Sequence, residues 1–280
     1  MKQRTWFITG INSGFGRHMT EQLLERGDKV AGTVRDMNSV DDLKAKYGEL
    51  LWVSHLDVTD IPEIYEVINK AFQQLGTIDI IVSNAGYGLF GAAEEFTNDQ
   101  IIHQINTNLV GPIQLIRAAL PHLRSQNSGR IIQLSSVAGQ VASPGGSLYH
   151  ATKWGIEGFI EALMQELAPF NISLTLVEPG GARTNFLKGS LKLADKLDAY
   201  ETSPASFIRR VVENNAAAPL GDPLKMVKIM IDSVDRNPAP KRIVLGSESY
   251  YAIHQALSSR IEELESQKEQ ALSTDFPSTK

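Results

Sequence analysis

The chain has 280 residues, a formal net charge of −5 and no cysteine. Lack of cysteine excludes disulfides and thiolate chemistry and allows a reducing compartment, while a mildly acidic balance without a basic stripe argues against nucleic acid or an anionic membrane as partner. The length admits two domains, but no Pro/Gly/Ser-rich linker interrupts the pattern, so a single α/β domain over residues 1–280 is expected.

The first residues lead directly into a strand over residues 5–9, with no apolar stretch of signal-peptide or membrane-spanning length, and the expectation is a soluble, cytoplasmic protein. Gly10-Ile11-Asn12-Ser13-Gly14-Phe15-Gly16 then forms a turn that opens an amphipathic run over residues 17–26. Glycines let a backbone approach a pyrophosphate, and the helix N-terminus beneath supplies unpaired N–H groups and the positive end of a dipole. The spacing is G-x-x-x-G-x-G, and a plain tight turn has the same composition.

Further apolar runs predict strands over residues 29–34, 51–56, 78–83, 130–134 and 172–178, with a late strand over 242–245. Helical patterns fall between them at residues 39–47, 61–75, 99–125 and 148–168. Such alternation predicts a parallel sheet covered on both faces. Ligands of open parallel sheets bind outside the carboxyl ends of the strands, where Gly10, Asp57, Asn84, Ser136 and Pro179 fall.

Tyr149 and Lys153 stand in a Y-H-A-T-K run at the start of a helical pattern, with Ser136 thirteen residues upstream. Residues four apart share a helix face, so the ammonium sits beside the phenol and favours its ionised form. A free phenol, with a pKa of about 10, is a poor acid/base near neutral pH, and a fixed cation lowers it without metal. Taken alone, the same spacing also fits an exposed helical pair.

Together these residues resemble the short-chain dehydrogenase/reductase family, from residue 5 to about residue 184. Thr9-Gly10-x-x-x-Gly14-x-Gly16 matches its cofactor motif, Ser83-Asn84-Ala85-Gly86 its strand-end motif, and Pro179-Gly180-x-x-x-Thr184 the segment after its sixth strand. Asn108, Ser136, Tyr149 and Lys153 match its catalytic tetrad. Ser83 replaces the usual Asn and Phe15 the usual Ile, neither of them a reacting group. The resemblance implies a Rossmann fold, a doubly wound parallel sheet of about seven strands, and an oxidoreductase of CH–OH groups. It implies that Tyr149 exchanges a proton with the substrate oxygen, Ser136 hydrogen-bonds that oxygen, and Lys153 holds the nicotinamide ribose. Asn108 would hold a water linking Lys153 to solvent, or alternatively kink its helix as a polar residue with satisfied hydrogen bonds. Ser135 rivals Ser136, but the thirteen-residue spacing selects Ser136. No metal is implied.

The resemblance also implies a cofactor bound along Gly10, Asn12, Ser13, Gly14, Phe15, Gly16, Asn84, Ala85, Gly86, Tyr149, Lys153, Pro179, Gly180 and Thr184, with Asp57-Val58 against the adenine. Asp57 alternatively belongs to the N-cap of the helix at residue 61, where Thr59 or Asp60 is the better cap. At the end of the second strand, Val34 stands where a carboxylate would select NAD, and Arg35 follows; a guanidinium makes charge-assisted bonds to phosphate, so NADP(H) is expected over NAD(H). A register two residues off would bring Asp36 to the ribose instead.

The substrate is expected to be a small, lipophilic ketone, aldehyde or alcohol, met by a lid at about residues 185–220. Its apolar members are Phe186, Leu187, Leu191, Leu193, Leu197, Tyr200, Phe207, Ile208, Val211 and Val212, which either line a pocket or pack lid helices onto the sheet. Leu89, Phe90, residues 143–147 and residues 180–182 are further wall positions. The run over residues 221–246 looks like the 17β-hydroxysteroid dehydrogenase-like branch of the family. A charged helix over residues 250–272 has Leu257, Ile261 and Leu264 at helical spacing for packing on its own subunit or a partner's, and residues 273–280 are expected to fray. A homodimer or homotetramer through residues 99–125 and 148–168 is expected, with Phe159 and Leu163 outward. A non-catalytic NADP(H) sensor is the alternative function, and an epimerase or dehydratase a third.

Overall fold

The computed structural model describes residues 3–214 and 219–276. In chain order the elements are β1 (Thr5–Thr9), α1 (Gly14–Glu25), β2 (Lys29–Val34), α2 (Asp41–Tyr47), β3 (Leu51–His55), α3 (Ile61–Leu75), β4 (Ile80–Ser83) and β5 (Gly88–Phe90). They continue with α4 (Asn98–Ile105), α5 (Gly111–Gln126), β6 (Gly129–Leu134), α6 (Ser147–Leu167), β7 (Ile172–Pro179) and β8 (Leu191–Leu193). The last are α7 (Phe207–Glu213), α8 (Pro223–Asp232), β9 (Arg242–Leu245), α9 (Ser247–Ser266) and α10 (Lys268–Leu272).

Period-two alternation along β1 sends Trp6 and Ile8 to one face of the sheet and Phe7 to the other, and all three are fully buried. The first face packs on Met19 and Leu23 of α1 and Val227 and Met230 of α8. Ile64 and Ile68 of α3, Leu115 of α5, and Ile156 and Ile160 of α6 cover the second. These helix residues recur at three- and four-residue spacing, which places each apolar stripe on one side. The result is a seven-stranded parallel sheet in the order β3-β2-β1-β4-β6-β7-β9, covered on both faces, the Rossmann arrangement expected. Strand order reverses between β1 and β4, which opens a crevice at their carboxyl ends.

Several boundaries differ from expectation for local reasons. β4 starts at Ile80 because the Gln126 side-chain amide, not a neighbouring strand, satisfies both the N–H and the C=O of Ile78. The continuous helix expected over residues 99–125 is two helices, α4 and α5, joined by a π-helical turn over Asn106–Val110. Buried Asn108 is held there by the Tyr87 main chain, its Oδ1 accepting from Tyr87 N at 3.1 Å and its Nδ2 donating to Tyr87 O at 2.7 Å. Gly111 follows, and a Cβ at that position would collide with the Val58 carbonyl, so glycine lets the loop after β3 approach.

Leu163 does not face outward as expected: it lies in the core on the α6 side, and Phe159 packs half-buried against the same cluster. In α9 only Ser249 and Ile253 are buried, while Leu257, Ile261 and Leu264 are 43%, 60% and 67% exposed, so they do not pack on their own subunit. Residues 215–218 of the expected lid and 277–280 of the expected frayed tail lie outside the described residues, as does the side chain of Leu187.

Candidate active site

A cavity of about 1250 Å³ opens at the strand-order reversal. One end of it is set by a stitch between β1 and β4. Thr9 Oγ1 accepts from the amides of Asn84 at 3.0 Å and Ala85 at 2.9 Å, and Asn84 Nδ2 donates back to Thr9 O at 2.7 Å. Gly10 and Gly14 take left-handed backbone (φ 73° and 55°), a region that favours glycine. A Cβ on buried Gly16 would overlap the Gly10 carbonyl and the Asn84 amide, so Gly16 permits the turn to fold back on β1 without itself reaching the cavity. Ser13 is the extended N-cap of α1 and makes no side-chain capping bond. Gly14 and Phe15, which open α1, line the cavity without a side-chain cap on the helix end, and no acidic residue in the first turn opposes an anion there.

Arg35, at the end of β2, is exposed and lines the cavity. Asp36 lines the cavity too, but its Oδ1 accepts from Asn38 N at 3.0 Å and caps the following 3-10 turn, so one oxygen of the carboxylate that a shifted register would bring to a ribose is already engaged. Asp57 and Val58 also line the cavity. Asp60, not Asp57, caps α3 through Glu63 N at 3.0 Å. Burial works to raise the Asp57 carboxyl, yet the Thr59 amide and hydroxyl at 2.9 and 2.8 Å, with the Arg35 charge, hold it below its ordinary range.

Ser136, Tyr149 and Lys153 come together on the cavity wall. Ser136 lies just past β6 and accepts from Ala138 N at 3.1 Å. The Tyr149 ring stands 5.3 Å from the ring of Phe90. Lys153 Nζ lies 5.7 Å from the Tyr149 ring centroid and donates to Leu134 O at 3.0 Å. The net shift of the phenol runs opposite to the one expected. Burial pushes Tyr149 up to about 12, and the neighbouring Ser136 hydroxyl pulls only partly against it. Burial likewise pushes Lys153 down to about 8, with Glu157 working in the opposite direction. The ammonium is directed at a carbonyl, which leaves desolvation in command of the phenol.

Of the expected site residues, Gly10, Asn12, Ser13, Gly14, Phe15, Arg35, Asp57, Val58, Asn84, Ala85, Gly86, Ser136, Tyr149, Lys153, Pro179, Gly180 and Thr184 all line the cavity, and Gly16 and Asn108 do not. Asn108 Nδ2 also lies 3.4 Å from Thr152 Oγ1, one residue before Lys153 in α6. Ser135 is buried with its hydroxyl unpartnered.

The β5 and lid segments line the cavity with apolar Leu89, Phe90, Phe186, Leu191, Leu193, Ile208, Val211 and Val212, interrupted by Asn185, Ser190 and Lys192. Leu197 and Phe207 do not, being 41% and 57% exposed, and the Tyr200 hydroxyl donates to Glu94 at 2.9 Å. Two features that the sequence reading missed hold this wall. β5 and β8 form a separate parallel pair, extended by Ala194 N donating to Phe90 O at 2.9 Å. Behind it, buried Glu95 accepts from Arg209 at 3.2 Å, Ala92 N at 2.8 Å and Leu197 N at 3.0 Å. His150 was also missed. Its Nδ1 faces Ala138 O, which can only accept, so Nε2 receives the Ser143 amide at 3.0 Å and fixes the loop before Tyr149. Its signal was its place next to Tyr149, but a lone His carries no role without the loop contact.

Among the described residues no helix is long and apolar enough to cross a membrane. A sequence profile described as short chain dehydrogenase matches residues 4–193. The oxidoreductase BOA17 of Botryotinia fuckeliana is 32% identical over 247 residues, 88% of this chain and 90% of that protein. A 3-ketodihydrosphingosine reductase of Bacteroides thetaiotaomicron is 34% identical over 209 residues, 75% of each chain. The crystal structure of a short-chain dehydrogenase from Streptomyces avermitilis superposes with a TM-score of 0.91 at 34% identity, over 98% of this chain and 99% of its own. The closed form of a serine dehydrogenase in complex with NADP+ superposes with a TM-score of 0.72 at 27% identity, over 86% of this chain and 93% of its own.

Proposed function

The chain belongs to the short chain dehydrogenase family and is an oxidoreductase, and from that premise we propose that it interconverts a ketone or aldehyde and the corresponding alcohol on a lipophilic substrate, using NADP(H). The observation that carries this reading is that Ser136, Tyr149 and Lys153 line the same cavity as the glycine turn, the uncapped start of α1 and a group of apolar side chains from the β5 and lid segments.

The residues fit the cofactor. Gly10 and Gly14 would bring backbone against a pyrophosphate at the α1 N-terminus, and Arg35 offers its guanidinium to a 2′-phosphate, while Asp36 beside it has one carboxylate oxygen taken by the Asn38 amide. The NADP+-bound serine dehydrogenase and the reductase named for a 3-keto substrate support the cofactor and the substrate class. When bound, NADP(H) supplies or accepts the hydride. Asp57 and Val58 would border the adenine and Lys153 the nicotinamide ribose.

Tyr149 performs the proton transfer. With its pKa at about 12 the phenol is protonated at neutral pH, the form that donates to a carbonyl oxygen gaining negative charge. Ser136 holds that oxygen by a hydrogen bond that strengthens as the charge develops. In the opposite direction Tyr149 must shed its proton first, and the Lys153 charge is the nearby group that stabilises the phenoxide. Asn108 braces α6 and the Tyr87 loop through its side chain, and its proposed water link to Lys153 is a further role. Phe90, Phe186 and Leu193 favour an apolar substrate body.

NADPH and NADH oxidation by purified protein across lipophilic ketones and aldehydes tests this reading. Turnover with NADPH is the expected result. Tight NADPH binding without turnover on any compound would instead make the protein a cofactor sensor.

A further inference from the structure

One helical turn beyond Lys153, the face of α6 carries Glu157, and Glu178 comes from β7. Glu157 is 4% exposed and Glu178 1%. The two carboxyl groups converge on the same donors. Arg242 Nε lies 3.1 Å from Glu157 Oε2 and 3.0 Å from Glu178 Oε1, and Gln140 Nε2 lies 3.4 and 3.2 Å from the same two oxygens. The remaining oxygens, Glu157 Oε1 and Glu178 Oε2, are buried without a partner, as is the hydroxyl of Ser135. A Cβ on Gly139 would sit 2.7 Å from Ser135 Oγ and 3.0 Å from Glu157 Oε1, so a glycine keeps that space open.

Two buried carboxyl groups that share one guanidinium cannot both ionise cheaply, and Arg242 is further divided by Glu161, 2.9 Å from its Nη1. Repulsion adds to desolvation here: burial first, then the Glu157 charge, holds the Glu178 carboxyl well above the usual range, against the pull of Arg242. Lys153 has the converse problem, a charge whose loss burial favours and Glu157 opposes. The groups facing the pair are Lys153 and Glu161 from α6, Arg242 from β9, and Gln140 and Ser135 from the connection after β6. Arg260 of α9 donates to the Gln140 carbonyl and closes the far side.

We propose that Glu157 and Glu178 are positioning residues for the proposed reaction, Glu157 supplying the buried counter-charge that keeps Lys153 protonated. This rests on the reading of Tyr149 and Lys153 as the proton-transfer pair. Glu157, on the lysine's own helix face, provides the charge that Lys153 feels. Arg242 and Gln140 hold Glu157 Oε2 in place, while Glu178 holds Arg242 and Gln140.

The test is a titration of Lys153 in the cofactor-free protein by NMR of 13Cε-labelled lysine, assigned with Lys153→Arg. Glu157→Gln should move the Lys153 titration to lower pH, and Glu157→Asp, which restores the charge, should move it back toward wild type. In turnover, the alkaline limb of kcat/KM in Glu157→Gln should shift the same way, so that the loss relative to wild type is about tenfold greater at pH 9 than at pH 6.5. Glu178→Gln, which keeps Glu157, should leave the Lys153 titration above that of Glu157→Gln. An identical Lys153 titration in wild type and Glu157→Gln overturns the proposal, as does a loss that is uniform across pH. The NMR arm needs no substrate, so it stands or falls apart from the reductase reading. If Glu157→Gln fails to fold, the wild-type and Glu157→Asp titrations compared with Glu178→Gln decide the matter: three titrations indifferent to carboxylate position overturn it.

Discussion

Lys153 reaches past Tyr149 to the Leu134 carbonyl, its Nζ 3.0 Å from that oxygen and 5.7 Å from the centre of the tyrosine ring. The ammonium is thereby anchored to the end of β6, the strand that leads to Ser136, and one buried charge ties the acid/base helix to the strand end. A charged amine in such a place is costly, and burial brings its pKa down to about 8.

Lys153→Met should therefore abolish turnover while raising the melting temperature at pH 7. The sign follows from linkage. An unfolded lysine titrates near 10.5 and the folded one at about 8, so the unfolded chain binds more protons between those values and wild-type stability rises with pH there. The advantage of the mutant is full below about pH 8 and fades toward pH 10.5. Thermal melts of both proteins across pH 6–10.5 check it; a mutant less stable at every pH contradicts it.

Gly16→Ala puts a methyl group into the Gly10 carbonyl and the Asn84 amide, neither the free end of a flexible chain. Overpacking of this kind costs about 1–3 kcal/mol, and pushing the turn off β1 misplaces the α1 amides. A lower denaturation midpoint together with weakened NADPH binding, read by fluorescence titration, is expected. Unchanged cofactor affinity would remove the turn from the cofactor site.

Arg35→Glu should raise KM for NADPH by about 10- to 100-fold, the worth of a charge-assisted hydrogen bond to phosphate, and leave NADH use unchanged or improved. Steady-state kinetics with the two cofactors decides it. An unaltered NADPH-to-NADH ratio would show that Arg35, exposed at the cavity edge, is solvated rather than paired.

Much of this molecule is legible from its residues. Periodicity places α3 and the strands β1, β2 and β9 at their observed ends, because each is a run bounded by turn residues and buried by local pattern alone. The glycine turn, Asn84 and the Ser136/Tyr149/Lys153 spacing point to the cavity because strand ends converge there in any parallel sheet of this order. What escaped the sequence depends on contacts between distant segments. Asn108 is legible as a helix-kinking residue, but the break between α4 and α5 needs its partner, the Tyr87 main chain 21 residues away. β5 and β8 are three residues each, too short to show a period, and exist only as a pair. Leu163 has the right spacing for either side of α6, and only the packing of that helix decides it. The direction of the Tyr149 shift escaped for the same reason, since a shared helix face fixes proximity to Lys153 but not the degree of burial.

The central claim, that Tyr149 is the proton donor of a hydride-transfer reaction, is tested most directly with NADPH deuterated at the transferable C4 position. Using a ketone that the wild-type protein turns over, mass spectrometry should find deuterium at the carbinol carbon of the alcohol. Tyr149→Phe should bind NADPH with unchanged affinity and form that product about 10²- to 10⁴-fold more slowly, the range for loss of a general acid. Product formation by Tyr149→Phe at the wild-type rate would contradict the account.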